Sequence, residues 1–282
     1  MSNQYVLNPM IINPAYAGSR GALNVAAFYR RQWVGISGSP ETMTLSADAP
    51  FLDSKLGLGL TITNDKLGVT KQTQFQTTYA YKIGLENGNL SFGLGAGLIT
   101  TNTAWSELVV IDPGDDYFLV NSQVFVVPDF SFGVYYTYQN YFAGLSIPKL
   151  LNYQFDFNKN KYSLKFDMGQ SYYLFNTGYL FTITPKIKLF PSTLISYSQG
   201  EKLLIDINAH VSYTDRFWAG LSYRNSRSLA ALFQVAVNNQ LRVAYTYDFD
   251  FGSLGRYSNG SHEIMLRYEF KYKVDVVNPL AF

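Results

Sequence analysis

From Leu203 to Lys273 the chain keeps one rule: apolar and polar residues alternate, segment after segment, with turn residues between. Ile205, Ile207, Ala209, Val211 and Tyr213 share one face of the first segment, and Asp206, Asn208, His210 and Ser212 the other. Phe217, Ala219, Leu221 and Tyr223 then oppose Trp218, Gly220, Ser222 and Arg224, and Ala231, Phe233, Val235 and Val237 oppose Gln234 and Ala236. Leu241, Val243, Tyr245 and Tyr247 face away from Arg242, Thr246 and Asp248; Ile264, Leu266, Tyr268, Phe270 and Tyr272 face away from Glu263, Arg267, Glu269 and Lys271. A period of two places successive side chains on opposite faces of a pleated strand and is incompatible with the helical period. Five such strands in succession leave few folds open.

The first half repeats the pattern with smaller residues on the polar face. Leu58, Leu60 and Ile62 alternate with Gly57, Gly59, Thr61 and Thr63, and Leu90, Phe92, Leu94 and Ala96 with Ser91, Gly93 and Gly95. Strands are predicted near 20–33, 41–50, 55–65, 71–84, 88–101, 128–138, 140–148, 170–183 and 186–198. Pro191 is expected to bend or bulge the last of these, because it brings no N–H to the ladder. Together with the five above, the count is about fourteen. Numbered from the first strand, the even connections are tight: Ala49 to Ser54, Glu86-Asn87-Gly88, Gln139-Asn140, Thr184-Pro185, Thr214-Asp215 and Asn238-Asn239. The odd ones include every long one: Asn102–Val127, Pro148–Gly169 and Phe251–Asn259. In an up-and-down meander all odd connections lie at one end, so the long loops gather there and the short turns opposite.

A soluble sandwich also alternates, but it would solvate one face with Lys, Glu and Thr. Here one face is Leu, Ile, Val, Phe and Tyr, while the other carries Asp, Arg, Glu, Asn and Gly. Lipid wets an apolar outer face, and closure of the sheet pairs every backbone group that water cannot reach. The strands also run about 10–12 residues, long enough to cross a bilayer when tilted. Tyr79, Tyr81, Tyr136, Tyr138, Tyr245 and Tyr247 near strand ends suit aromatic girdles. The expected fold is therefore all-β: a transmembrane antiparallel up-and-down β-barrel in a bacterial outer membrane, with its long loops extracellular and outer-membrane lipid around it. No run is long and apolar enough for a transmembrane helix.

The chain opens differently. Asn8-Pro9 and Asn13-Pro14 exclude regular helix, since each proline lacks an N–H and pushes the preceding Asn out of the helical region. An ordered, extended peptide over residues 1–19 is expected, with Tyr5, Asn8, Pro9, Asn13, Pro14 and Tyr16 as its plug residues, packed inside the barrel or at its periplasmic mouth. The barrel then spans 20–273, and 274–282 forms a periplasmic tail. Met1-Ser2-Asn3 has neither the basic nor the apolar stretch of a leader. Export then implies a signal peptide outside this sequence and a processed chain.

Composition limits the chemistry. The sequence has no Cys and only His210 and His262, which removes thiolate and imidazole-rich metal sites, and no cofactor is expected. A net charge of +2 offers no basic stripe for nucleic acid. Arg30, Lys82, Asp206, Arg224, Arg242, Asp248, Glu263, Arg267 and Glu269 project into the lumen, where opposite signs can pair across strands. They make either a polar channel, a grip on an inserted peptide, or a salt-bridged filling. His210 lies between Asn208 and Ser212 on one strand face, but same-face neighbours are about 7 Å apart, beyond the reach a nucleophile and base require. Gly93-Leu94-Gly95-Ala96-Gly97 lacks the helix that a dinucleotide motif needs. Asp112-Pro113-Gly114-Asp115-Asp116 offers carboxylates for weak binding of a divalent cation, but reads first as an exposed acidic turn. Nothing in the sequence reads as an enzyme.

The run Gln4-Tyr5-x-x-Asn8-Pro9-x-x-Ile12-Asn13-Pro14-Ala15-Tyr16-Ala17-Gly18-Ser19 resembles the mature start of PorP/SprF family proteins, outer-membrane proteins of Bacteroidetes linked to type IX secretion and gliding. The resemblance continues at Tyr29-Arg30-Arg31-Gln32-Trp33-Val34-Gly35, at Gly57-Leu58-Gly59-Leu60 with Asn64-Asp65, at Ser91-Phe92-Gly93 and at Phe142-Ala143-Gly144-Leu145-Ser146-Ile147-Pro148. It implies a fourteen-stranded barrel that anchors a large secreted surface protein through its type IX C-terminal domain. It also implies an association with an OmpA-like peptidoglycan-binding lipoprotein, and carries no catalytic residues. Tyr117, Phe118, Leu119, Phe155 and Phe157 in the two longest loops are the expected partner-binding anchors. The competing expectation is a pore or transporter for small molecules.

Overall fold

The computed structural model describes residues 3–51, 55–107, 122, 124–156 and 161–270. Its strands are, in chain order, β1 (Leu23–Arg31), β2 (Glu41–Phe51), β3 (Leu56–Leu67), β4 (Thr70–Leu85), β5 (Gly88–Thr103), β6 (Phe125–Tyr138) and β7 (Tyr141–Ile147). Then follow β8 (Asn152–Asp156), β9 (Lys161–Lys165), β10 (Tyr173–Tyr179), β11 (Phe181–Thr184), β12 (Ile187–Tyr197) and β13 (Leu204–Tyr213). The last are β14 (Phe217–Arg224), β15 (Ser228–Ala236), β16 (Leu241–Asp250) and β17 (Ser261–Phe270). β8 and β9 stand apart as a hairpin within the connection from β7 to β10. β10 and β11 are two lengths of one rung, both laddered on β12. β17 returns to pair with β1, from Leu23↔Phe270 to Arg31↔His262, which closes an antiparallel barrel of fourteen strands.

Closure decides which face meets which solvent. Along β13, Ile207 and Val211 are 58% and 45% exposed, whereas Asn208 and His210 are 1% and 3% exposed. Leu94, Leu145, Leu221 and Phe233 continue the outward apolar band. At the tight-turn end this band is edged by outward Tyr81, Tyr138, Tyr141, Tyr179, Tyr213 and Phe217, and at the other end by Tyr197, Tyr223 and Phe249. Aromatic rings that are apolar in body and polar at the tip suit both water–lipid boundaries. Thr214 and Asp215 take φ of 54° and 53° between β13 and β14, the turn geometry that matches strand twist.

Two local expectations change. The N-terminal segment is not extended: 3-10 turns form at Asn3–Val6, Pro9–Ile11 and Pro14–Tyr16. Asn8 (φ −138°) and Asn13 (φ −142°) do stay outside the helical region, as residues before proline should. Each proline, however, opens a helical turn, because its missing N–H is one that the first position of a helix leaves unpaired in any case. Asn13 Oδ1 then caps its turn by accepting the Ala15 N–H at 3.0 Å. Pro191 does not break β12, which runs unbroken from Ile187 to Tyr197. The gap opens in the facing rung instead, between β10 and β11 at Leu180, whose N–H donates to Asn140 O at 2.9 Å. A proline withholds its N–H from the neighbouring strand, so the neighbour loses the ladder bond.

Candidate functional site

Both chain ends join the barrel at the tight-turn end, because β1 begins there and β17 finishes there. Residues 5–20 turn back from that end into the lumen, and all but Ile11 are buried. The Asn8 side chain donates to Ser46 Oγ on β2 at 2.8 Å, and that of Asn13 to Val134 O on β6 at 3.0 Å. Ser146 on β7 donates to Ile12 O at 2.6 Å, and Asn208 on β13 donates to the Tyr5 hydroxyl at 2.8 Å. Arg267 on β17 donates to Leu7 O at 2.9 Å, and Arg20 donates to the same carbonyl. The segment is thus tied to strands all around the wall. Ring contacts add to this: Tyr16 meets Tyr135 edge-on at 5.3 Å, and the Arg20 guanidinium lies over the Tyr16 ring. Burial pushes the Tyr5 and Tyr16 phenols above their ordinary pKa, so both stay neutral.

Small inward residues make room for this backbone. A Cβ on Gly57 would stand 1.9 Å from Ala17 O, one on Gly93 2.1 Å from Ala15 N, and one on Gly133 2.1 Å from Asn13 Oδ1. Within the Gly93–Gly97 run, Gly93 lies directly under the segment, while Gly95 and Gly97 give room to Ser131, Gln76 and the Phe75 carbonyl of the adjoining strands.

The charged inward groups form three sets. Arg30 bridges Asp248 and Glu263 at 3.1 Å each. Arg224 grips Asp206 with Nε and Nη2, at 2.6 and 2.7 Å. Glu269 accepts from Arg20 at 3.3 Å and lies 3.4 Å from Arg267 Nε; Arg242, registered with Arg267, stands beside them. His210 is buried with its ring against Gly220 and a ring distance of 6.5 Å to Phe190, while Asn208 and Ser222 bond each other. His210 thus packs into the wall, and Ser212 Oγ donates to Asp215 at 3.5 Å. Opposite charges that leave water need such pairing, because an uncompensated buried charge is far costlier than the pair.

Above the segment, in the long-loop half, two cavities open among the described residues. One, of about 410 Å³, has Met10, Ile11 and Ile12 as its floor and Thr61, Thr63 and Gln76 in its wall. The other, of about 530 Å³, lies between Asp206, Arg224, Tyr172 and Gln170. Pro148 and Lys149 touch both and stand between them.

Of the expected loop anchors, Phe155 lies on β8, registered with Tyr162 of β9. Tyr117, Phe118, Leu119 and Phe157 lie outside the described residues, as do the acidic turn 112–116 and the tail 274–282. Sequence reasoning missed Arg20, Ser46, Asp48 and Ser146. Asp48 accepts from Gly18 N at 3.0 Å and from Asn24 at 2.9 Å, so it fixes the hinge into β1. The signal that was available is a strand, Glu41–Phe51, with Asp and Ser on its inward side opposite a peptide rich in unpaired backbone.

The profile described as type IX secretion system membrane protein PorP/SprF matches residues 1–268. No curated protein matches the chain. Among solved structures, the Acinetobacter baumannii outer membrane protein Omp33 aligns with a TM-score of 0.52 and 8% identity, over 88% of this chain and 98% of that one. The CymD monoaromatic hydrocarbon channel aligns at 0.56 and 10% identity, over 96% and 94%. At these identities the likeness is one of fold, and the fold is that of an outer-membrane barrel. With the profile running from before the Asn-Pro segment into the last strand, this chain belongs to the type IX secretion system membrane protein PorP/SprF family.

Proposed function

We propose that this barrel is a non-enzymatic attachment point of the type IX secretion and gliding machinery. It holds a large secreted surface protein by that protein's C-terminal signal domain, at the long-loop end facing the cell exterior. The observation that supports this reading over a small-molecule pore is the buried segment 5–20, tied by side chains to strands all around the lumen. An open pore has no use for a filling of that kind, whereas an anchor gains a rigid platform. The loops carrying Tyr117, Phe118, Leu119, Phe155 and Phe157 supply the apolar contacts, since aromatic anchors dominate interfaces. The tail 274–282 reaches an OmpA-like peptidoglycan-binding lipoprotein on the periplasmic side.

The test is affinity capture of the tagged protein from its native outer membrane, with deletion of residues 102–127 as the comparison. Recovery of a secreted protein by its C-terminal domain, lost on deletion while the barrel still assembles, is the expected outcome. Unchanged retention sinks the docking idea. Sustained conductance of the intact protein in planar bilayers returns the pore.

A further inference from the structure

The outward face of the barrel avoids charge almost completely. Among the described barrel strands, Arg31, Glu41, Lys66 and Lys71 are the only charged side chains on that face. They are not scattered: Arg31↔Glu41, Glu41↔Lys66 and Lys66↔Lys71 are successive register partners, so the four form one row across β1–β4. The row sits at the long-loop rim. One register step toward the membrane lie Tyr29, Met43, Asn64 and Thr73, with Asn64 bonded to Thr73 at 2.8 Å. One step further lie Ala27, Leu45, Ile62, Phe75 and Leu98. Rows two residues apart along a strand are separated by about 6.7 Å. Within about 14 Å the surface therefore passes from charged to neutral polar to apolar, the profile of a lipid from headgroup to acyl chain.

The row is net positive, three cations to one carboxylate, and Glu41 is already engaged by the Tyr29 hydroxyl. Beside it a cleft of about 550 Å³ opens between loop 32–40 and the turn at Gly68, lined by Arg31, Ser37, Ser39, Glu41, Lys66 and Gly68. The cleft is held in shape by the bond from Gly68 N to Gly38 O at 2.9 Å. Lone cations at a membrane rim merely snorkel. Three in one row, with hydroxyls and an open cleft beside them, match the charge and acceptor oxygens of a phosphate.

We propose that the outward row Arg31–Lys66–Lys71, with the adjoining cleft, binds the phosphorylated headgroup of a membrane lipid whose acyl chains lie over Leu45, Ile62, Phe75 and Leu98. The site fixes the rotational position of the barrel relative to bound lipid, on the β1–β4 sector. It is independent of what the long loops hold.

The experiment uses the full chain, purified in neutral detergent and stripped of lipid, with bound lipid counted by native mass spectrometry. Phosphatidic acid is offered against phosphatidylcholine of the same acyl chains, with inorganic phosphate as competitor. The wild type retains phosphatidic acid preferentially, and free phosphate does not displace it at matched concentration. Arg31→Gln/Lys66→Gln/Lys71→Gln lowers that preference by about tenfold or more, each cation contributing near the surface. Glu41→Gln removes the opposing charge and tightens retention, while Lys66→Arg/Lys71→Arg leaves it intact, so the site is tested even if the triple variant fails to assemble. Equal retention of both lipids, displacement by free phosphate, or a Glu41→Gln variant that binds no more tightly overturns the proposal.

Discussion

Replacing Gly93 by Val tests whether the N-terminal segment is what closes the lumen. The new Cβ would stand 2.1 Å from Ala15 N, 2.3 Å from Pro14 C and 2.5 Å from Ala15 Cα, all backbone atoms that no side-chain rotation can clear. β5 cannot retreat, because it is laddered to β4 on one side and β6 on the other over most of its length. Non-bonded carbons settle at about 3.5 Å, so the segment must withdraw by about 1.4 Å. That displacement breaks the bonds from Asn13 to Val134 O and from Ser146 to Ile12 O, now 3.0 and 2.6 Å long. Two bonds at about 1 kcal/mol each, and a similar amount in lost packing around Tyr16, come to about 4 kcal/mol, nearly a thousandfold in the docked-to-released ratio. Valine itself favours a strand, so the wall should not suffer. The assay is single-channel conductance in planar bilayers, with the heat-dependent gel shift of the folded barrel as control. Wild type should conduct little and Gly93→Val should open in long, frequent events. A variant that assembles and remains as silent as wild type would refute the reasoning.

Three further outcomes follow from the geometry. Arg224→Met should destabilise the barrel by about 3–5 kcal/mol by stranding Asp206, and Asp206→Leu in the same chain should recover most of it; both are read from the temperature of the gel-shift transition. Leu221→Arg, on the outward band, should cost about 2–4 kcal/mol if that residue lies near the bilayer midplane, while a lumen exchange at Ser222→Thr costs far less, as denaturant titration in lipid vesicles would record. Burial raises the Tyr5 and Tyr16 phenols, so docking of the segment is at full strength below pH about 10 and weakens as pH climbs above it. Protease cleavage within residues 1–20 should therefore accelerate on the alkaline side only, and a constant cleavage rate would count against the buried hydroxyls.

The strand alternation, the even–odd rhythm of turns and loops, and the division into an apolar and a polar face were all readable from residue order. They depend on neighbours along the chain: a period of two is a local property, and only closure into a barrel lets an apolar outer face meet lipid. The recurrence of Asp206, Arg224, Asp248 and Glu263 within the last five strands also announced an interior of mixed charge, since each falls on the polar side of its strand. Which charge meets which was not readable. Arg30 finds Asp248 and Glu263 because β1 and β17 close the sheet and β16 lies next in order, a consequence of fourteen rungs meeting end to end. The Asn-Pro segment shows the same division. Proline chemistry alone excluded a regular helix and kept Asn8 and Asn13 out of the helical region. That the segment curls into 3-10 turns and rests on Gly57, Gly93 and Gly133 depends on surfaces contributed by strands far away in sequence, and only tertiary structure brings those surfaces together.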